Sequence, residues 1–248
     1  MMIGQDGFSD RREAGCRLAA ALAHLRDANP LVLALPRGGV PVAFEVARSL
    51  AAPLDLLLVR KIGAPGHEEL GIGAVVDGRN PQLVLNWEVV DMVAPPPGYI
   101  AAEQKRQLAE IERRRLLYRG EQPAADTSGR TVIVVDDGIA TGGTVKAALR
   151  GVRQSRPRRL VLAVPVAPQD SLDEVATECD EVVCLLTPDP FYAVGAYYAD
   201  FAQTTDEEVI RLLKEAQKMS HSKLAANRPK SVGATTRGGS KPLAGQRR

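Results

Sequence analysis

The stretch Val134–Thr144, VVDDGIATGGT, sets two adjacent carboxylates, Asp136 and Asp137, at the end of a hydrophobic run and follows them with a turn of glycine and threonine. Glycine lets the backbone approach an anion closely. A helix opening after such a turn aims its first N–H groups and the positive end of its dipole at that anion. Ala140, Thr141, Gly142, Gly143 and Thr144 therefore read as a phosphate cradle, to which Thr141 and Thr144 add hydroxyls. The two acids cannot hold a phosphate, but they can accept hydrogen bonds from a diol. Phosphate cradle and diol clamp side by side describe a site for ribose 5-phosphate. A Walker A loop is excluded, because Thr144 and not Lys follows Gly143; no G-x-G-x-x-G dinucleotide fingerprint follows any apolar run.

Two further groups offer positive charge. Pro36-Arg37-Gly38-Gly39 follows the apolar run Leu31–Leu35, with one fixed cation and two glycines that free the backbone amides. Arg60-Lys61 closes the run Leu54–Val59. His67, Glu68 and Glu69 lie between Gly66 and Gly71 and carry titratable groups on a glycine-flanked loop. Phe191-Tyr192 opens a segment through Phe201 that gathers five of the nine Phe and Tyr residues; aromatic faces stack on flat ligands.

The elements that position these residues follow from the apolar pattern. Leu31–Leu35, Leu54–Val59, Thr131–Asp136, Leu160–Val166 and Glu181–Leu186 are short continuous Val/Leu/Ile runs, as in strands of a parallel sheet covered on both faces. Helices are expected over 10–26, 40–50 and 144–154, with capping-box patterns at Asp10/Glu13, Ser171/Glu174 and Thr205/Glu208. The alternation gives an α/β doubly wound, mostly parallel sheet. In such sheets ligands sit beyond the carboxyl ends of the strands. The chemistry is thus expected just after Leu35, Val59, Asp136 and Leu186. Between the second and third core strands lies a long insertion, with a hairpin expected over 74–86 and a charged helix over 99–119.

VVDDGIATGGT resembles the motif by which type I phosphoribosyltransferases bind 5-phosphoribosyl-1-pyrophosphate (PRPP). The phrases PRGGVPVA and VRKIGAPGHEELGIGAV resemble a bacterial subgroup of that family. The resemblance covers roughly residues 10–215. It implies a phosphoribosyltransferase domain over 1–217, with insertion 62–120 as mobile loop and charged helix and a small hood around 187–217; the Gly, Ser, Ala, Pro and basic composition of 218–248 marks a disordered tail. It implies that Asp136 and Asp137 hold the ribose hydroxyls and act catalytically, and that residues 140–144 hold the 5-phosphate. Arg37, Gly38, Gly39, Arg60 and Lys61 would take the pyrophosphate, the first loop often through an unusual peptide conformation. His67, Glu68 and Glu69 would sit on the mobile loop, and Phe191 or Tyr192 would stack on the base. Mg²⁺ is the implied cofactor, carried mainly by PRPP with Asp136 and Asp137 reached through water and no direct protein ligand. Hypoxanthine-guanine enzymes carry a third Asp where this chain has Ala140, and the adenine enzymes tend to have Ala. The departure points away from 6-oxopurine acceptors. The implied activity is transfer of ribose 5-phosphate to an acceptor, with pyrophosphate released. The competing reading is a non-catalytic regulator that senses PRPP or nucleotides.

Composition limits the setting. Of 248 residues 45% are hydrophobic, enough for a full core without staples. No apolar run approaches membrane-spanning length, and the first ten residues lack the apolar centre of a signal peptide. Cys16, Cys179 and Cys184 lack metal-ligand spacing and read as buried reduced thiols. A cytoplasmic protein is expected, with PRPP and a small-molecule acceptor as partners, a homodimer compatible, and no membrane. Residues 219–248 hold seven basic side chains and no acid, whereas residues 1–218 hold 25 basic and 30 acidic. Nucleic acid is expected to meet at most this tail, weakly.

Overall fold

The computed structural model describes residues 7–226, with side chains through Met219. Five strands, β1 (Pro30–Ala34), β2 (Leu54–Leu56), β6 (Thr131–Val135), β7 (Arg159–Val166) and β8 (Glu181–Leu186), form a parallel sheet in the order β2-β1-β6-β7-β8. Three more, β3 (Val59–Ala64), β4 (His67–Val76) and β5 (Gln82–Leu85), form a separate antiparallel sheet. The helices are α1 (Arg11–Ala21), α2 (Gly39–Leu50), α3 (Trp87–Val93), α4 (Tyr99–Arg119), α5 (Gly143–Gln154), α6 (Gln169–Ala176) and α7 (Asp206–Ala226), with short 3-10 turns at 23–28 and 194–197. The expected α/β class with a mostly parallel central sheet is the one observed.

Strand alternation builds the core on two faces. Val32, Ala34, Ile133, Val135, Val161 and Ala163 face α1, α2, α4 and α7. Leu31, Leu33, Val132, Val134, Leu160 and Leu162 face α5 and α6. Both sets are buried, which is why these strands read as unbroken apolar runs. Strand order reverses between β1 and β6, the crevice where open α/β sheets take ligands.

The expected second core strand, Leu54–Val59, divides. Only Leu54–Leu56 pairs with β1, and the chain then turns into β3 of the other sheet. The expected insertion 62–120 holds the rest of this antiparallel sheet, α3 and the charged helix α4; at its start Arg60 and Lys61 pair with Val75 and Ala74, and His67 pairs with Ala64 across a turn at Gly66. Arg119 fixes this second layer to the first. Its buried guanidinium reaches Asp55 at 2.6 Å, Asp77 at 2.8 Å and the Leu56 carbonyl. Asp77-Gly78 opens the turn between β4 and β5, as the sequence suggests.

Three expectations are corrected. Ser171 does not cap its helix; α6 is entered at Pro168, and Ser171 Oγ instead donates to the Ala140 carbonyl at 2.7 Å. Cys16 is exposed on α1 rather than buried. Helix α7 runs past Lys218 to Ala226 because Val209, Leu212, Leu213 and Ala216 anchor it on the core. The rest of the expected tail, 227–248, lies outside the described residues.

Candidate active site

The loops after β1 and β6 meet at the β1/β6 crevice, and they meet closely. A side chain on Gly38 would stand 2.0 Å from Asp137 Oδ2, and one on Gly39 would stand 2.8 Å from the Val135 carbonyl. Real Cβ atoms do not approach so near: the backbone against Gly39 demands glycine there, and a side chain at Gly38 would push the Asp137 carboxylate aside. The Pro36–Arg37 peptide bond is cis. Gly142 holds φ at +73° and forms the N-cap of α5, where no side chain caps the helix. The first N–H groups of α5 therefore point outward with the positive end of the helix dipole. Ala140, Thr141, Gly143 and Thr144 are exposed beside them, as a cradle for a phosphate requires.

The paired acids differ in environment. Burial, and then the charge of Asp137, push the Asp136 carboxyl well above its ordinary range. Asp136 Oδ1 accepts the Asp137 backbone N–H at 2.9 Å. Asp137 Oδ2 is held by Arg11 Nε at 2.8 Å, with side-chain exposures of 16% and 11%. Arg11 is fixed in turn. It donates to the Ala202 carbonyl at 2.7 Å, and its guanidinium carbon lies 3.9 Å from the centroid of the Phe201 ring. Tyr198 donates its hydroxyl to the Asp137 carbonyl at 2.6 Å, and burial raises its pKa. Sequence reasoning missed Arg11 and Tyr198. Arg11 sits one residue after a helix cap, where a basic side chain reads as an ordinary surface group.

The expected cations do not share a partner. Arg37 Nη1 lies 3.6 Å from Asp206 at the start of α7, an acid that also accepts the Tyr118 hydroxyl at 2.6 Å. Burial, and then that hydrogen bond, push the Tyr118 pKa up to about 12. Arg60 and Lys61 are neighbours on a strand and point to opposite faces. Arg60 donates to Gln107 of α4 at 3.1 Å, while Lys61 reaches Glu69 at 3.1 Å. The expectation that this pair closes a core strand is corrected, since both residues lie within β3 of the antiparallel sheet. Lys61 lines a cleft of about 780 Å³ together with Thr141, Gly143 and Thr144 of the cradle. His67, Glu68 and Glu69 are exposed at the start of β4.

The hood residues separate in the same way. Phe191 stacks on Tyr197 at 5.7 Å between centroids, within a small cluster that includes Phe8, Val166 and Tyr198. Tyr192 is 80% exposed. Of the two stacking candidates, Tyr192 has its ring face available.

A glycine-threonine turn opening α5 thus stands beside two adjacent acids where the strand order reverses in a parallel α/β sheet. The chain belongs to the phosphoribosyl transferase domain family, whose model matches residues 9–201. A Mycobacterium tuberculosis H37Rv protein described as a phosphoribosyl transferase, with no acceptor named, is 46% identical over 211 residues, covering 85% of this chain and 47% of its own length. The chain thus spans about half the length of the curated relatives it matches. A protein of solved structure from Thermus thermophilus is 47% identical, with a TM-score of 0.75 over 84% of this chain and 98% of that one. A ribose-phosphate pyrophosphokinase from Methanopyrus kandleri is 32% identical over 143 residues, 46% of this chain and 45% of its own.

Proposed function

We propose that the protein is a phosphoribosyltransferase that binds PRPP with Mg²⁺ and transfers ribose 5-phosphate to a flat acceptor, releasing pyrophosphate. The observation that carries this is the contact of the 36–39 loop with the Asp136–Asp137 pair beside an uncapped helix N-terminus. That arrangement offers backbone amides to two anionic ends of one molecule and carboxylates to the ribose between them.

In this reading α5 and residues 140–144 hold the 5-phosphate. Asp136 and Asp137 orient the ribose hydroxyls and place negative charge near the developing oxocarbenium carbon. The backbone of Gly38 and Gly39, with Arg37 at the same loop, receives the pyrophosphate. The adjacent carboxylates of Asp136 and Asp137 are the groups that would face an ion brought by the substrate, directly or through water. Mg²⁺ would supply neutralisation of the leaving pyrophosphate. Arg11, 2.8 Å from Asp137 Oδ2, holds that carboxylate in place.

Ala140 leaves the acceptor side without a carboxylate, so the ring N–H of hypoxanthine or guanine would lack its partner, at a cost of about 1–3 kcal/mol. Adenine or a non-purine acceptor is preferred, with Tyr192 as the stacking face. Assays of labelled PRPP with adenine, hypoxanthine, guanine, xanthine, uracil and orotate test both points. Transfer to adenine or a pyrimidine is expected. Efficient use of hypoxanthine would remove the argument from Ala140, and PRPP binding without turnover of any acceptor would favour a sensor. Asp137→Asn should weaken PRPP binding roughly 10- to 100-fold.

A further inference from the structure

The phosphate cradle is not closed on its far side. The cleft of about 780 Å³ begins at Thr141, Gly143 and Thr144 and runs between α5 and the antiparallel sheet to Trp87. A Cβ built on Gly143 would meet nothing within 4 Å, so the cradle itself leaves room for a substituent on the phosphate. The volume lies in the range of small-molecule and cofactor pockets.

The lining changes character along the cleft. Its charged lining comprises Lys61, Lys146 one turn into α5, Arg150 about two turns along α5, and the acids Glu69 and Glu88. The present partners of the three cations are Glu69, Glu174 and Glu178, in ion pairs of which at least one member is well exposed in each case. Pairs of that kind contribute little and exchange readily for a phosphate. Further along, Val84 supplies apolar surface, and Trp87 offers an indole that is 65% exposed at the first position of α3. An indole left in water beside apolar surface is a stacking face for a base.

We infer that this cleft binds dinucleotide-type ligands, in which the 5-phosphate of one ribose is joined through a second phosphate to another nucleoside. The first phosphate lies in the cradle, the second meets Lys61, Lys146 and Arg150, and the distal base stacks on Trp87. This rests on the reading of residues 140–144 as a ribose 5-phosphate cradle.

Trp87 is the single tryptophan of the chain and also borders a second groove beside Val90 and Pro95–Pro97, so displacement by PRPP assigns a change in its fluorescence to this cleft. The full chain is titrated with ADP-ribose, ribose 5-phosphate and AMP, by fluorescence and calorimetry. ADP-ribose should quench Trp87 and bind about tenfold more tightly than either fragment. PRPP should displace it. Trp87→Ala should reduce ADP-ribose affinity to that of ribose 5-phosphate and leave ribose 5-phosphate binding unchanged, whereas Trp87→Phe should keep most of the gain. Equal affinity for ADP-ribose and ribose 5-phosphate, an unchanged emission, or quenching that PRPP cannot displace although PRPP binds, each overturns the inference. If PRPP itself fails to bind, the proposed function falls, and the quenching by ADP-ribose still decides whether the cleft is a dinucleotide site.

Discussion

Two neighbouring aspartates in one buried crevice cannot share the same environment, and their partners show how the protein separates them. Asp137 is paired directly with Arg11; Asp136 accepts the backbone N–H of its neighbour and feels the Arg11 charge more weakly than burial and the charge of Asp137. In the unfolded chain Asp136 ionises near its ordinary value. In the folded chain it holds its proton to higher pH, so stability falls as pH rises from that ordinary value toward the raised one. Asp136→Asn removes the penalty while keeping an acceptor for Asp137 N–H. The variant should melt a few degrees higher at pH 7, on the order of 2–4 °C per kcal/mol relieved, with the gain vanishing as pH falls toward about 4. Melting curves from about pH 4 to 8 check this, alongside the loss of PRPP affinity that a ribose-directed acid requires. Arg11→Met acts oppositely. It strands Asp137 in a mostly buried site, and about 3 kcal/mol of stability at neutral pH should disappear. Urea unfolding measures it; a change under about 1 kcal/mol would show that water replaces the guanidinium.

At the scale of elements, α5 is the part on which the phosphate reading depends. Its N-cap is a glycine at positive φ and its first residue is another glycine with open space beside it. Ordinary helix stability does not call for Gly143, since glycine costs about 1 kcal/mol relative to alanine within a helix. Gly143→Ala should therefore leave the fold as stable or slightly more so, while its methyl group stands over the cradle and weakens PRPP binding by roughly tenfold or more. Calorimetry paired with thermal melting separates the two effects. A variant that gains stability and loses no affinity would remove Gly143 from the site.

For the whole molecule, the N-terminal segment and the hood act as one piece. Phe8 donates to the Tyr197 carbonyl and accepts from Ala199 N–H, both at 2.8 Å, while its ring, 1% exposed, packs 5.3 Å from that of Tyr198. Tyr198 touches Asp137, and Arg11 follows three residues after Phe8, so the same strap that holds the hood also delivers the guanidinium to the acid. Phe8→Ala should cost about 3–5 kcal/mol, as for other large buried aromatics. Hydrogen exchange should show the opening concentrated in residues 190–202 rather than in the parallel sheet. Uniform loss of protection would mean that the strap supports the entire core.

Local sequence determined what local chemistry can encode. The apolar runs that became β1, β6 and β7 are buried on both faces, and VVDDGIATGGT carries its own strand end, turn and helix start. The strand end, the turn and the start of α5 were therefore legible without a structure. The Asp10 and Thr205 caps were legible for the same reason, since a cap is a contact over three residues: Glu13 N–H reaches Asp10 at 2.8 Å and Glu208 N–H reaches Thr205 at 3.2 Å. Tertiary structure decided the contacts between distant segments. The pairing of Arg11 with Asp137 spans 126 positions, and nothing at either end announces it. The run Leu54–Val59 looked like one strand because apolar periodicity does not record which sheet a residue joins. Its division at Leu57 moved Arg60 and Lys61 into a second layer and set Lys61 in one cleft with Thr141, Gly143 and Thr144. The exposure of Trp87 was equally hidden, since an aromatic residue in sequence reads as core until its neighbours in space leave its face uncovered.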